Sequence, residues 1–99
     1  MNFSEQCYEL LMQVPKGKVT TYKEIANALG TKAYRAVGSA MNKNPNPVIV
    51  PCHRVVKTDG TLGGYAYGDK KKIALLKEEG VAVKDGKIVN FTTTLHHFS

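Results

Sequence analysis

The chain has 99 residues, 42% of them hydrophobic, and its fourteen Lys and Arg against eight Asp and Glu give a net charge of +6. This length fits one domain with one small core. No apolar run approaches the roughly 18 residues of a membrane span, so we expect no membrane partner. The basic balance favours a polyanionic partner, with nucleic acid ahead of an acidic membrane surface.

Cysteine usage and the N-terminus indicate an intracellular protein. The two cysteines are fewer than a secreted disulfide scaffold of this size usually carries. No CxxC pair or His/Cys cluster has zinc spacing, so no metal site is expected. Residues 1–6 lack the basic start and apolar centre of a signal peptide. We therefore expect a reducing compartment, the cytoplasm or, in a eukaryote, the nucleus.

The apolar residues of the first segment recur at helical spacing. They predict a helix over residues 3–14, with Ser4 as its N-cap and with an inward face made of Phe3, Cys7, Leu10, Leu11 and Val14. Because Cys7 lies on this face, we interpret it as a core residue without chemistry. Residues 15–18, Pro-Lys-Gly-Lys, end the helix in a turn.

Two short helices follow and form a candidate helix-turn-helix. The first is predicted over residues 22–29, with Thr20 or Thr21 as its cap and Gly30 at its end. The second is predicted over residues 32–42 after a Thr31 cap, with Ala33, Val37, Ala40 and Met41 inward. Its many small residues suit either close approach to another surface or close helix packing, and the sequence leaves both alternatives open.

The central segment places a thiol beside an imidazole. The β-branched run at residues 48–50 predicts a short buried strand that ends at Pro51 and delivers Cys52 and His53. A thiol near an imidazole and a guanidinium is typical of a cysteine nucleophile, whereas a lone cysteine after an apolar run is usually a small core residue. Neighbouring residues on a strand point to opposite faces, so cooperation between Cys52 and His53 would need a turn or a bridging water.

The last third alternates turns with short elements. Asp59 and Gly60 predict a hairpin turn, and residues 62–68 form a Gly- and Tyr-rich loop. A helix is predicted over residues 70–79 after an Asp69 cap, with residues 70–72, three lysines, more typical of a solvated face than of phosphate contact. Residues 81–89 predict a small hairpin, and residues 90–99 a loosely held tail.

Taken together, these motifs resemble the C-terminal domain of the O6-alkylguanine–DNA alkyltransferases. The resemblance runs from about residue 3 to residue 89, and its motifs are residues 14–22, 34–41, 44–47, 51–56 and 63–65. It implies a mainly α domain with short strands, winged-helix-like, over residues 1–89, followed by a tail at residues 90–99. The N-terminal domain usual in the family is not part of this sequence.

The resemblance also implies roles for individual residues. Cys52 matches the alkyl acceptor, His53 the base that activates it through a water, and Glu79 the carboxylate that orients His53. Tyr22 matches the proton donor to the leaving guanine, and Asn44 the brace of the active-site turn. Arg35 matches the finger that fills the gap left by a flipped nucleotide. Further DNA contacts are implied for Tyr22, Lys23, Thr31, Ala36, Gly38, Ser39 and Thr58, and a lesion pocket for Met41, Pro47, Val50, Gly63, Tyr65 and Ala66.

The implied activity is direct repair of double-stranded DNA that contains O6-alkylguanine. The alkyl group, typically methyl, moves to Cys52 once per molecule, after base flipping, in a monomer that needs no cofactor. Two residues depart from the family pattern: Ala66 replaces a small hydroxyl residue, which removes one hydrogen bond to the lesion, and Tyr67 replaces a small residue, which narrows the pocket.

Two alternatives belong to other classes. An alkyltransferase-like protein would bind the flipped lesion without repairing it, but such proteins replace the cysteine that is present here as Cys52. A winged-helix regulator would use Arg35 and lysines for DNA and Cys52 as core, and it would not require Cys52, His53, Glu79 and Tyr22 together.

Overall fold

The computed structural model describes residues 2–45, 49–65 and 68–98. Most of the regular structure is helical, and the strands are only two residues long. The helices are α1 (Phe3–Leu11), α2 (Tyr22–Ala28), α3 (Tyr34–Asn42), α4 (Asp69–Glu78) and α5 (Phe91–Thr94); the strands are β1 (Thr20–Thr21), β2 (Val55–Val56), β3 (Val83–Lys84) and β4 (Lys87–Ile88). None of the described helices is long and apolar enough to cross a bilayer.

Helix α1 forms where the apolar periodicity places it, but its boundaries differ from the prediction. The N-cap is Asn2 and not Ser4, because the Asn2 side chain accepts a hydrogen bond from the Glu5 amide at 2.8 Å. The helix ends at Leu11, three residues earlier than predicted. Cys7 and Leu11 are fully buried, which confirms the predicted inward face at both positions.

Helices α2 and α3 form the predicted helix-turn-helix. Thr21 caps α2 by accepting the Glu24 amide at 3.0 Å, and Gly30 ends the helix with a φ of +72°. Helix α3 begins at Tyr34 instead of residue 32, because the Thr31 hydroxyl accepts the Ala33 amide in a turn and caps no helix.

The inward face of α3 is partly as predicted. Val37, Ala40 and Met41 are buried, but Ala33 is exposed because it precedes the first helical turn. Together with α1 and α2, this face encloses the first hydrophobic core, which also contains Cys52 and Val55.

The strand predicted before Pro51 does not form over the residues that the structure describes, where Val50 makes only an isolated β-bridge. Ile49 lies in a turn with 71% of its surface exposed, and Val50 is only half-buried; Val48 lies outside the described residues. A short apolar run cannot by itself distinguish a strand from another buried segment. The strand in this region is β2, which follows the Cys52–Arg54 segment and pairs in parallel with β1 through Thr20–Val55 and Thr21–Val56.

Helix α4 and the terminal hairpin build a second core. Asp69 is the first residue of α4 and not its cap, since the N-cap position is Gly68. The hairpin β3–β4 turns at Asp85 and Gly86, as predicted, with Asp85 at a φ of +52°. The core buries Val19, Val56, Leu62, Leu76, Val81 and Ile88.

The expectation of a loosely held segment after residue 89 is wrong for residues 91–98. Val19 pairs in parallel with Leu95, and its backbone exchanges hydrogen bonds with Thr94 and His96 at 3.0 and 2.7 Å. Phe98 packs against the first core and Phe91 against the second. This pairing joins residues that are more than seventy positions apart, which local sequence patterns do not reveal.

Candidate active site and nucleic-acid interface

Cys52 and His53 lie on one turn of 3₁₀ helix, Cys52–Arg54, between Pro51 and β2. The turn is closed by hydrogen bonds from the Cys52 amide to the Val50 carbonyl at 2.7 Å and from the Arg54 amide to the Pro51 carbonyl at 2.9 Å. With three residues per turn, successive side chains diverge by about 120° instead of the 180° of a strand. The turn therefore brings the directions of the Cys52 and His53 side chains closer together than a strand would.

The His53 imidazole is fully buried and bonded to one carboxylate. Its Nε2 lies 3.0 Å from Oε2 of Glu79, the residue that follows α4. Burial would raise the pKa of Glu79, but the hydrogen bonds from Arg54 and His53 outweigh burial and lower it below its ordinary value. Glu79 is therefore an anion that only accepts, so Nε2 carries the proton and Nδ1 is left with its lone pair.

The second ring nitrogen of His53 is poised as a base. Nδ1 is buried and has no hydrogen-bond partner among the residues that the structure describes. Burial lowers the pKa of His53 below its ordinary value, and the interaction with Glu79 only partly opposes this. His53 is thus neutral near pH 7, with one nitrogen fixed by Glu79 and the other free to accept a proton.

Arg54 holds Glu79 in place, a contact that the sequence did not reveal. Its Nε donates to Oε1 of Glu79 at 2.9 Å and its Nη2 to Oε2 at 2.7 Å, which is the two-pronged geometry of a strong guanidinium–carboxylate pair. Nη1 donates to the Val14 carbonyl at 2.7 Å, at the end of the α1 region. The guanidinium thus directs its bonds to the carboxylate that orients His53.

Lys72 is the second residue whose environment was missed. The sequence predicted that residues 70–72 form a solvated face of the helix. Lys70 and Lys71 are exposed, as predicted, but the prediction is wrong for Lys72, whose side chain is fully buried. A sequence signal did exist, because Lys72 precedes the buried Leu76 by four residues and Glu79 by seven and so shares their face of α4.

Two residues of the predicted brace and pocket, Asn44 and Tyr65, lie around the Cys52–Arg54 turn. Asn44 is 8% exposed, and its side-chain amide donates to the Val50 carbonyl at 2.8 Å, so it braces the chain just before Pro51. The ring of Tyr65 meets that of His53 edge to face, with 6.4 Å between centroids.

Tyr22, the first residue of α2, faces the Gly63 backbone. A Cβ atom at Gly63 would lie 3.4 Å from the Tyr22 hydroxyl oxygen, and the φ of +69° at Gly63 independently favours glycine. Burial, and the proximity of Cys52, raise the pKa of Tyr22 above its ordinary value, so its hydroxyl keeps its proton at neutral pH.

The predicted DNA-binding residues are mostly on the surface. Arg35, Ala36, Ser39, Lys23 and Thr58 are exposed, while Gly38, Thr31 and Tyr22 are half-buried. A Cβ atom at Gly38 would meet no atom within 4 Å, so packing inside this chain does not require the glycine. Of the two alternatives for the small residues of α3, close approach to an outside surface fits this exposed face better.

The remaining predicted pocket residues lie in different environments. Met41 is 5% exposed and belongs to the first core, and Val50 is half-buried beside Asn44. Pro47, Ala66 and Tyr67 lie outside the described residues. Within residues 2–45, 49–65 and 68–98, no three His, Cys, Asp or Glu side chains are grouped so that they could hold a metal ion.

Comparison with known proteins places this geometry in a family. Residues 2–81 match the model of the 6-O-methylguanine DNA methyltransferase DNA-binding domain. The chain belongs to this family. The resemblance drawn from the motifs and the predicted helix-turn-helix fold are thereby confirmed.

Individual relatives differ in how much of their length is shared. The methylated-DNA–protein-cysteine methyltransferase of Saccharolobus solfataricus is 49% identical over 83 residues, which cover 84% of this chain and 54% of that protein. Mycobacterium tuberculosis OGT, solved in complex with DNA, is 42% identical with a TM-score of 0.78 over 81% of this chain and 49% of that one. The chain spans about half the length of the curated relatives it matches.

One solved neighbour is matched along nearly its whole length. Schizosaccharomyces pombe Atl1, in complex with damaged DNA containing O6-carboxymethylguanine, is 31% identical, with a TM-score of 0.83 over 95% of this chain and 94% of that one. In sequence identity, however, the chain is more similar to the methyltransferases than to Atl1.

Proposed function

We propose that this protein repairs double-stranded DNA by transferring an alkyl group, typically methyl, from O6 of guanine to Cys52, once per molecule. The observation that carries the proposal is the placement of Cys52 on the same turn as His53, whose imidazole is fixed by Glu79 at 3.0 Å, in a chain of this family. A nucleophile, a base and a group that orients the base are the parts of an activated cysteine site.

The chemistry balances without a cofactor. The Cys52 thiol passes its proton to Nδ1 of His53, through a water as the family resemblance implies, and the sulfur forms a bond to the alkyl carbon. The bond between that carbon and O6 breaks, and its electron pair stays on the guanine. Tyr22, which is protonated at neutral pH, donates a proton to the departing base and is reprotonated from His53 or solvent. One thiol proton has then moved to guanine, and the product is a thioether.

The lesion has to leave the duplex to reach the thiol. Cys52 is 5% exposed, so it cannot approach a base that remains in the stack. Enzymes that act on buried base atoms flip the nucleotide out, at a cost of a few kcal/mol. We propose that the exposed face of α3 binds the groove and that Arg35 fills the gap left by the base, as wedge side chains do elsewhere.

Intact-mass spectrometry after incubation with an O6-methylguanine oligonucleotide tests this function. We expect a gain of one methyl group, located on the Cys52 peptide, with no further gain on longer incubation. The second buried cysteine, Cys7, serves as an internal control because burial raises its pKa, and it should stay unmodified. An unmodified Cys52 after demonstrated DNA binding would contradict the proposal.

The structural similarity to Atl1, with a TM-score of 0.83, favours one second candidate, lesion binding without transfer. In that case the oligonucleotide would bind with a preference for the lesion and leave the protein mass unchanged. Binding that does not distinguish the lesion from guanine would contradict both candidates and return the protein to the class of helix-turn-helix regulators.

A further inference from the structure

The C-terminal strap, which we define as residues 93–98, is hydrogen-bonded to the residues that lead into α2. The bonds run from Lys18 Nζ to the Thr93 carbonyl at 2.7 Å, from the Val19 amide to the Thr94 carbonyl at 3.0 Å, from the His96 amide to the Val19 carbonyl at 2.7 Å, and from the Thr20 hydroxyl to the His96 carbonyl at 3.4 Å. Val19 and Thr20 are fully buried. The strap therefore fixes the backbone of residues 18–20 from one side.

The strap is anchored at both ends. Phe98 packs against the first core, while Phe91, two residues before the strap, packs against the second core. His97 adds an exposed contact to α2, with its Nδ1 3.2 Å from Oε1 of Glu24, and exposed pairs of this kind contribute little. The aromatic anchors thus hold the strap across β1.

Strand β1 links the two groups that react in the proposed transfer. On one side Val19 pairs with Leu95 of the strap, and on the other β1 pairs with β2. Strand β2 directly follows the turn that carries Cys52, whereas β1 directly precedes Tyr22. The position of the Tyr22 hydroxyl relative to the thiol therefore depends on how firmly β1 is held.

The ladder between β1 and β2 is a weak restraint by itself. Each strand has only two residues, and parallel pairs are slightly less stable per residue than antiparallel pairs. The strap adds hydrogen bonds to the opposite edge of β1. The family match ends at residue 81, so the strap lies outside the matched segment. Covering a strand edge could also serve folding alone, and the two roles predict different kinetics.

We propose that the strap is a positioning segment for alkyl transfer: it holds β1 in place and so sets the Tyr22 hydroxyl relative to Cys52. His96 is its central residue, because the His96 amide donates to the Val19 carbonyl and its carbonyl accepts from Thr20. This proposal rests on the proposed function of the same site. The strap touches no reacting atom in this account and acts through β1 and Tyr22.

The test compares His96→Pro with His96→Ala in the full chain. Proline removes the amide that donates to Val19. Leu95 has a φ of −70° and a ψ of 126°, a conformation that a following proline permits. Both variants lose the imidazole ring, so the difference between them reports on the amide. Ile88→Ala, in the second core on β4, controls for a loss of stability alone.

Hydrogen exchange followed by mass spectrometry shows whether the strap holds β1. In His96→Pro, the amides of residues 18–22 should exchange at least about tenfold faster than in the original protein, because a local contact has been lost. The amides of β3 and β4 should exchange as before. His96→Ala should match the original protein in both segments.

Transfer kinetics show whether the strap acts through Tyr22. With protein in excess over an O6-methylguanine duplex, His96→Pro should transfer methyl about tenfold more slowly at saturation and bind the duplex within about threefold, since small displacements of reacting groups cost this much. In a Tyr22→Phe background, His96→Pro should slow transfer by less than about twofold, because no hydroxyl remains to be misplaced. Ile88→Ala should have the same effect in both backgrounds.

Several outcomes would overturn the proposal. Unchanged exchange over residues 18–22 in His96→Pro would show that the strap does not hold β1. Equal slowing with and without the Tyr22 hydroxyl would reduce the strap to a folding role. If His96→Pro does not fold, Phe98→Ala loosens the anchor on the first core and should show the same dependence on Tyr22. If the original protein transfers no methyl, the proposed function fails and the kinetic role with it, whereas faster exchange in His96→Pro still establishes that the strap holds β1.

Discussion

Polar side chains are buried in one region of the molecule and exposed in another. The buried relay behind Cys52 consists of His53, Arg54, Glu79 and Lys72, whereas the exposed face of α3 presents its polar side chains to solvent. His53, Arg54 and Lys72 are at most 8% exposed and are held by short bonds to Glu79 and to backbone carbonyls. Arg35, Ala36 and Ser39 are open to solvent on a helix whose only buried side chains face the core. In the proposed repair reaction, the groups for chemistry are therefore fixed before DNA binds, whereas the α3 face would gain its contacts from the DNA.

This contrast has energetic consequences. Removing one partner of a buried charged pair typically costs about 3–5 kcal/mol, because the other charge stays buried without compensation. Substitutions on an open surface usually change stability by less than about 0.5 kcal/mol. Relay variants should thus affect both chemistry and stability, while variants of the α3 face should affect only reactions that involve DNA.

The largest effect is expected from the acceptor itself. Cys52→Ala removes the sulfur to which the alkyl carbon bonds, so transfer should fall below detection while lesion-DNA affinity stays within about threefold. Transfer is followed as methyl on the protein and affinity by fluorescence anisotropy. Cys7→Ala is the matched control and should still transfer; methyl transfer by Cys52→Ala would exclude Cys52 as acceptor.

The next largest effect is expected from the group that orients the base. Glu79→Gln keeps the shape but removes the anion that fixes the His53 tautomer and pairs with Arg54. Transfer should fall about a hundredfold or more, the range that a positioned acid or base contributes. Stability should fall by about 1–3 kcal/mol, less than for complete loss of the partner, because the glutamine oxygen can still accept a hydrogen bond from Arg54. Single-turnover kinetics and urea unfolding measure the two.

Glu78→Gln is the matched control for this variant, because Glu78 is the neighbouring glutamate, the last residue of α4, and is exposed. We expect it to behave as the original protein in both measurements. A Glu79→Gln variant with unchanged kinetics would show that the His53–Glu79 bond has no part in the transfer.

A smaller and more selective effect is expected on the α3 face. Arg35→Ala should slow transfer from a duplex about tenfold, because the flipped state loses its wedge, while bulk DNA affinity falls only about threefold and stability stays within about 0.5 kcal/mol. Lys84→Ala on β3 removes one exposed positive charge elsewhere and serves as control. Equal losses of binding and transfer in Arg35→Ala would refute the wedge.

The smallest expected effect is a pH dependence of the free energy of unfolding that arises from His53. Burial lowers the pKa of His53 in the folded state below the 6.5 of a free histidine, so the unfolded chain binds more protons as the pH falls below about 6.5. The free energy of unfolding should therefore decrease on acidification, by at most about 1.4 kcal/mol per pH unit for this one group. His53→Gln should lose that part of the slope in urea titrations at pH 5.5 and 7.5, and an unchanged slope would contradict the assignment.

Local patterns predicted the parts of the fold that local physics determines. The helical periodicity gave α1, α2 and α3, Thr21 formed the expected cap, and the Asp85–Gly86 turn formed the expected hairpin. The family motifs also selected residues that the structure brings together, since Glu79 reaches His53 and Asn44 reaches the Val50 carbonyl.

The parts that were missed depend on contacts distant in sequence. Neither the pairing of Val19 with Leu95 nor the bond of Arg54 to the Val14 carbonyl leaves a local pattern. The run at residues 48–50 was too short for its composition to decide its conformation. Lys72 was missed because a lysine triplet is usually solvated, although its spacing from Leu76 placed it on the buried face.

The most direct test of the separation between relay and interface is transfer from free O6-methylguanine, which requires no flipping, compared with transfer from the same lesion in a duplex. Original protein, Glu79→Gln, Arg35→Ala and Lys84→Ala are measured side by side by protein mass. We predict that Glu79→Gln is slow with both substrates, whereas Arg35→Ala is slow only with the duplex and matches the original protein and Lys84→Ala with the free base. An Arg35→Ala variant that loses free-base transfer as strongly as duplex transfer would contradict the account, because the chemistry would then depend on the DNA-binding face.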